Sequence, residues 1–136
     1  MANFFPIDPR RHSWGPRVIG DYELIHQVEG TSSYNNAAGA LAILTGETLL
    51  IPPAVRHVYR CSLERPATIS CIHFTLSPDP HSGQPLRLGS GDLELPHLFR
   101  RLADEWTQGG ELSQRLCEAM LCEILARLER AGAGQP

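Results

Sequence analysis

The sequence predicts a mostly β domain, closed as a barrel or a sandwich, with two helices after it. Three observations carry this. Short apolar runs with period-two alternation recur at close spacing between residues 17 and 76, as brief strands joined by tight turns do. Among them, Pro52 and Pro53 fix φ twice in succession and remove two backbone donors, so a sheet ladder must break there. After residue 92 the apolar period becomes helical, in two stretches separated by Gly109 and Gly110.

Taken in order, residues 1–16 read as an N-terminal arm, with Pro6, Pro9 and a double Arg, and not as an element. Phe4 and Phe5 either pack onto a barrel mouth or fray with the tail. The segment from Arg17 to Glu29 carries the first clear strand. Tyr22, Leu24, His26 and Val28 fall on one face, and Glu23, Ile25, Gln27 and Glu29 on the other. Gly30 ends it. The Ser- and Asn-rich stretch 31–39 suits a hairpin loop. Strands follow at 40–44 and 48–51, then the proline corner. Beyond the corner, Val55, His57 and Tyr59 alternate with Arg56, Val58 and Arg60, so His57 and Tyr59 share a face. Residues 62–66 read as a turn and 67–76 as a further strand. Residues 77–92, rich in Pro and Gly, read as the passage to the helices, with an edge strand at 85–88.

The first helix opens at Leu95–Pro96, where Pro suits the opening turn. Leu98, Phe99, Leu102 and Trp106 make its apolar stripe, and Gly109–Gly110 stop it. The second helix runs from about 111 to 130. Leu112, Leu116, Met120, Ile124 and Leu128 recur every four residues, and Cys117, Leu121 and Leu125 widen the stripe. This exceeds what one barrel flank needs, so the face packs either on its own barrel or partly on a second chain. The closing AGAGQP, 131–136, has a linker composition.

At 136 residues the chain suits one domain. No apolar run approaches a membrane span, and the N-terminus lacks the basic and apolar segments of a signal peptide. A net charge of −3 argues against nucleic-acid binding by this chain itself, which wants a basic patch. Cys61, Cys71, Cys117 and Cys122 form no C-x-x-C pair, which fits free thiols in a cytoplasmic protein. No G-x-S-x-G motif, phosphate-cradling Gly loop or evidently activated Cys suggests an enzyme.

The stretch GETLLIPPAVRHVYR, Gly46–Arg60, resembles the second cupin motif: Gly46, then Pro52 after five residues, then His57 five positions on. The motif's Gly is Ala54 here, and its terminal Asn is Cys61. In its GE-x-LLIPP-x-x-x-H-x-Y form, with DYELIHQVEG at 21–30 and ISCIHFTL at 69–76, the chain resembles the sensor domains of AraC-family transcription regulators. The resemblance implies a cupin-like double-stranded β-barrel, or jelly roll, followed by two helices. It divides the chain into an arm (1–16), a barrel with its linker (17–92), a two-helix dimerisation segment (93–130) and a linker tail (131–136).

It also implies what the barrel holds. Cupin enzymes bind a metal through a His-x-His and a Glu of the first motif and a His of the second. Here the two first-motif His positions fall on Arg17 and Ile19, leaving Glu23 and His57, which are too few ligands for a catalytic site. Neither a metal nor another cofactor is expected. The expected partner is a small polar effector, a sugar or sugar derivative. The residues implied to meet it are Trp14, Arg17, Glu23, His57, Tyr59, Cys71 and His73, with Arg17 favouring a sugar acid through a bidentate pair. Plainer readings stand beside these: His57 as a core histidine bonded to backbone, Tyr59 as a wall residue, Arg17 as a solvated charge, His73 as part of its strand. The direction of Glu23 stays open, inward by cupin parity and outward by apolar alternation. The resemblance further implies a homodimer through Leu112, Leu116, Met120, Ile124 and Leu128. It implies contact with DNA only through helix-turn-helix units outside this chain.

Overall fold

The computed structural model describes residues 1–76, 85–89 and 91–133. Among them lie β1 Ala2–Pro6, β2 Ser13–Arg17, β3 Tyr22–Glu29, β4 Ser32–Asn36, β5 Gly39–Ile43, β6 Glu47–Ile51, β7 His57–Cys61, β8 Thr68–Phe74 and β9 Leu86–Gly89, then α1 Leu95–Gln108 and α2 Glu111–Ala133. The strands form two sheets, in the orders β1-β8-β3-β6-β9 and β2-β7-β4-β5. Their pairings are antiparallel. This is the expected cupin-like jelly roll with two helices after it.

Two cores result. Between the sheets lie Ile25, Tyr34, Ile43, Leu49, Ile51, Tyr59, Cys61, Ile69 and Cys71. On the outer face of the five-stranded sheet, Tyr22, Leu24, Ile72 and Phe74 meet Leu95, Leu98, Phe99 and Leu102 of α1 and Cys117, Ile124 and Leu128 of α2. The central strands β3 and β8 are therefore covered on both faces. That turns Glu23 inward: alternation pointed it to solvent only if one face of β3 were wet, and the helices cover the other face instead.

Several expectations are corrected. Residues 2–6 are not an arm. They form edge strand β1, paired from Ala2↔Ile72 to Pro6↔Thr68 on β8. Pro6 sits at the strand end, where a lost ladder donor matters least. Its faces divide: Ala2 is buried in the helix-side core and Phe5 packs on the inter-sheet core, while Arg100 of α1 lies 4.7 Å over the Phe4 ring. Arg17 does not open the first strand but closes β2, a separate strand paired to β7. The segment 31–39 is not a loop. Its Ser32 and Tyr34 face inward and are buried on β4, and the ladder closes at Asn36↔Gly39. The connection shrinks to a two-residue turn, where Asn36 accepts the Ala38 N–H at 2.9 Å.

The proline corner ends β6 as expected. Ala54, at the position of the motif's Gly, adopts φ +66°, the left-handed conformation that Gly takes most cheaply. Its N–H donates to the Ile19 carbonyl at 2.9 Å. The edge strand expected at 85–88 is β9, paired to β6. Residues 77–84, expected as the passage to the helices, lie outside the described residues. The tail expected at 131–136 begins within α2, and 134–136 lie outside the described residues.

In α1, Leu98, Phe99 and Leu102 are buried, but Trp106 is 43% exposed. The α2 stripe does not act as one face. Leu112 and Leu116 are 68% and 43% exposed, whereas Ile124 and Leu128 are buried in the domain's own core. Met120 lies between, packed against that core. No helix among the described residues is long and apolar enough to cross a membrane.

Candidate functional site

A cavity of about 460 Å³ opens between the two sheets on the β1–β2 side. Six of the seven residues implied by the resemblance line it: Trp14, Arg17, Glu23, Tyr59, Cys71 and His73. His57 does not. It lies behind Arg17, buried and stacked on Tyr34 with ring centroids 5.3 Å apart.

The placement of Arg17 depends on a bulge. Trp14 pairs with Tyr59, and Arg17 pairs with His57, so three steps along β2 match two along β7. Strict alternation would send Trp14 and Arg17 to opposite faces. The extra residue in Gly15–Pro16 re-aims Arg17 to the face of Trp14. Gly15 has φ +110°, and a Cβ there would stand 2.5 Å from the His57 carbonyl oxygen. Only Gly lets the backbone of β2 come this close to β7.

One wall of the cavity is aromatic. Phe5 meets Trp14 edge-on at 6.5 Å, and Trp14 lies 5.9 Å from Tyr59. The Tyr59 hydroxyl is not available to a ligand. It donates to Gln27 Oε1 at 3.2 Å and takes the Cys61 thiol at 3.7 Å. Tyr59 thus presents its ring to the cavity, which fits the plainer reading of it as a wall residue. Burial pushes the phenol well above its ordinary pKa and does the same to the Cys71 thiol.

The floor is charged and internally paired. Glu23, 4% exposed, accepts from Arg17 Nη2 and, at 3.0 Å, from His73 Nε2. His73 stands directly across the ladder from Glu23, a β3–β8 register that parity within either strand does not reveal. Its Nδ1 donates to Asp21 Oδ1 at 3.0 Å. Glu23 first, and Asp21 with it, raise the His73 pKa above its ordinary value. Arg17 Nε donates to His57 Nε2 at 3.2 Å, so His57 carries its proton on Nδ1 and gives it to the Val55 carbonyl at 3.0 Å. Burial and the Arg17 charge keep that imidazole neutral. His57 therefore fits the plainer reading, a core histidine bonded to backbone, while orienting the guanidinium. The Arg17 charge is already answered by Glu23, so the expected preference for a sugar acid loses its simple basis.

Arg17 stands between Glu23 and His57, where a metal bound by those two would have to sit. Among the described residues no three His, Cys, Asp or Glu side chains come together as a metal site. The residues present do not fit a cupin metal.

Phe5 lines the cavity too, as the barrel-mouth reading of Phe4 and Phe5 has it, whereas sequence reasoning missed Asn3, Asp8, Arg11, Ile25 and Ile69. Ile25 and Ile69 share strand parity with Glu23 and Cys71, a signal present in the sequence. Asn3, Asp8 and Arg11 gave no such signal; Asn3 enters through the pairing of β1 with β8.

Two facing sheets with a cavity between them define a cupin-like ligand-binding domain. The chain belongs to the AraC-like ligand binding domain family, which matches residues 3–125. No curated protein matches. Among solved structures, YhaK from Escherichia coli is 20% identical, with a TM-score of 0.53 over 65% of this chain and 40% of its own. ToxT from Vibrio cholerae O395, bound to (E)-4-(8-methylnaphthalen-1-yl)but-3-enoic acid, is 10% identical, with a TM-score of 0.63 over 96% of this chain and 56% of its own. Unsaturated fatty acid-bound ToxT from Vibrio cholerae strain SCE256 is 11% identical, with a TM-score of 0.59 over 96% and 54%. The chain thus spans about half the length of these neighbours. At such identities the likeness shows the fold alone.

Proposed function

We propose that this domain senses a small hydroxylated effector, a sugar or sugar derivative, and passes its bound state to helix-turn-helix DNA-binding units of an AraC-type regulator. The observation that supports this most is the pairing of an aromatic wall, Phe5–Trp14–Tyr59, with the polar floor of Arg17, Glu23 and His73. A sugar ring has a C–H face suited to the wall and hydroxyls that both donate to Glu23 and accept from Arg17. We read the domain as a sensor and not as an enzyme, which its membership of a ligand-binding family supports. Untagged protein is expected to carry well under one transition metal per chain.

The domain pairs with a second copy through the uncovered end of its helix layer, where Trp106, Leu112 and Leu116 are exposed. Net charge of −3 leaves DNA contact to other parts of the regulator.

A second reading, an aryl or alkyl carboxylate, draws on the apolar walls at Ile25, Ile69 and Cys71 and on the ligands held by the ToxT neighbours. Thermal shift over a panel of sugars, deoxy sugars and alkyl carboxylates separates the two. A true effector at 100 Kd adds about 2.7 kcal/mol of stability. Stabilisation by a sugar and less by its deoxy analogue supports the first reading; stabilisation by carboxylates alone overturns it.

A further inference from the structure

We infer that Glu23 sets the charge of the effector, so that the cavity takes a neutral polyol and turns away the matching carboxylate. This rests on the proposed reading of the cavity as a sugar site and narrows it. Glu23 lines the cavity, yet its side chain is only 5% exposed, and two donors hold it, Arg17 and His73. Each cation of the floor is therefore matched. Arg17 is answered by Glu23, and His73 by Glu23 and Asp21. With His73 protonated, the charges of Arg17, His73, Glu23 and Asp21 cancel; with His73 neutral, the floor is one charge negative. In neither state is Arg17 or His73 a spare cation. The Met1 ammonium also borders the cavity, donating to the His73 carbonyl at 3.4 Å with Asp21 beside it, but Met1 is 48% exposed and solvent screens it.

An acid that reached the Arg17 N–H groups left open by Glu23 and His57 would lie beside the Glu23 carboxylate. A second anion beside a buried carboxylate opposes binding. A hydroxyl meets no such conflict, since it accepts from Arg17 and donates to Glu23 without bringing charge. Arg11 also lines the cavity, but it is exposed, so solvent and salt screen it, and the nearby Asp8 carboxylate is paired with Arg10. Replacing Glu23 by the isosteric amide keeps an acceptor in place and leaves Arg17 uncompensated. The preference should then move toward the acid.

The test is calorimetric titration at pH 7.5 with matched pairs: glucose and glucuronate, galactose and galacturonate, mannose and mannuronate. The wild-type protein is expected to bind a neutral member at least about tenfold more tightly than its uronate. Glu23→Gln is expected to narrow or reverse that ratio, with circular dichroism confirming its fold and Glu23→Ser as a second variant. A wild-type preference for a uronate overturns the inference while the sugar site stands. Unchanged selectivity in a folded Glu23 variant overturns the role of Glu23. Binding of neither member of any pair overturns the sugar reading and the inference together.

Discussion

Tyr59 and Arg17 line the same cavity but offer it different groups. The Tyr59 hydroxyl is bonded to Gln27 inside the barrel, so Tyr59→Phe is expected to remove about 1 kcal/mol of folding stability and leave effector affinity nearly unchanged. Arg17→Ala removes a donor that faces the cavity, and affinity is expected to fall roughly 5- to 150-fold. Denaturant melts and calorimetric titration of the two variants separate these outcomes. His26 carries a pH prediction. It is buried on the helix side of β3, stacked on Phe99 at 5.0 Å, with Nδ1 on Thr48 Oγ1 at 2.8 Å and Nε2 without a partner. Burial lowers its pKa from 6.5 to about 4. The folded state then binds fewer protons than the unfolded state between these values, so stability present above pH 6.5 is lost as pH falls toward 4. The loss should be about 3 kcal/mol at most, and His26→Gln should flatten it in denaturant melts across that range. His73 acts with the opposite sign. Its raised pKa contributes stability that is full below 6.5 and lost as pH rises through the folded value.

At the scale of elements, the site depends on how β2 is laid against β7. The Gly15–Pro16 bulge is the device that puts Trp14 and Arg17 on one face, and Gly15 makes it by approaching the His57 carbonyl. Gly15→Ala combines a positive φ with a Cβ set against backbone that cannot move aside. It is expected to destabilise the domain by about 2 kcal/mol or more and to weaken effector binding as β2 lifts from β7. A Gly15→Ala protein with parental melting and affinity would refute that account. β1 serves as a second wall, with Phe5 toward the cavity and Phe4 under Arg100 of α1. One short strand thus touches both the ligand space and the helix layer.

For the whole molecule, the question is how much of the helix layer is free to meet another chain. Residues four apart on a helix drift by about 40° per step, so the stripe from Leu112 to Leu128 winds around α2. Its C-terminal half reaches the sheet and its N-terminal half faces outward. Leu116→Asp is therefore expected to weaken self-association with the fold retained. Ile124→Asp buries a charge in the core and is expected to unfold the domain. Sedimentation with circular dichroism distinguishes the two. A folded parent that stays monomeric at high concentration would rule out a self-sufficient interface.

The elements legible in the sequence were those whose signal is local. The Pro52–Pro53 corner, the β7 alternation that pairs His57 with Tyr59, Pro96 at a helix start and Gly109 at its end all act within a few residues. Each can be read where it stands. The sequence also marked Arg17, Glu23 and His73 as polar groups in a barrel motif, and six of its seven chosen residues line the cavity. Their relations were not legible, because they depend on pairing between strands far apart in the chain. The β3–β8 register sets His73 opposite Glu23, and a single extra residue in β2 reverses the face of Arg17. The β1–β8 ladder converts an apparent arm into a wall. The same holds for the direction of Glu23 and for the split of the α2 stripe, which follow from which sheet face the helices cover. Periodicity within a segment reports its own two faces. Which face meets the core is decided only by long-range hydrogen-bond registers and by the layer packed on the other side.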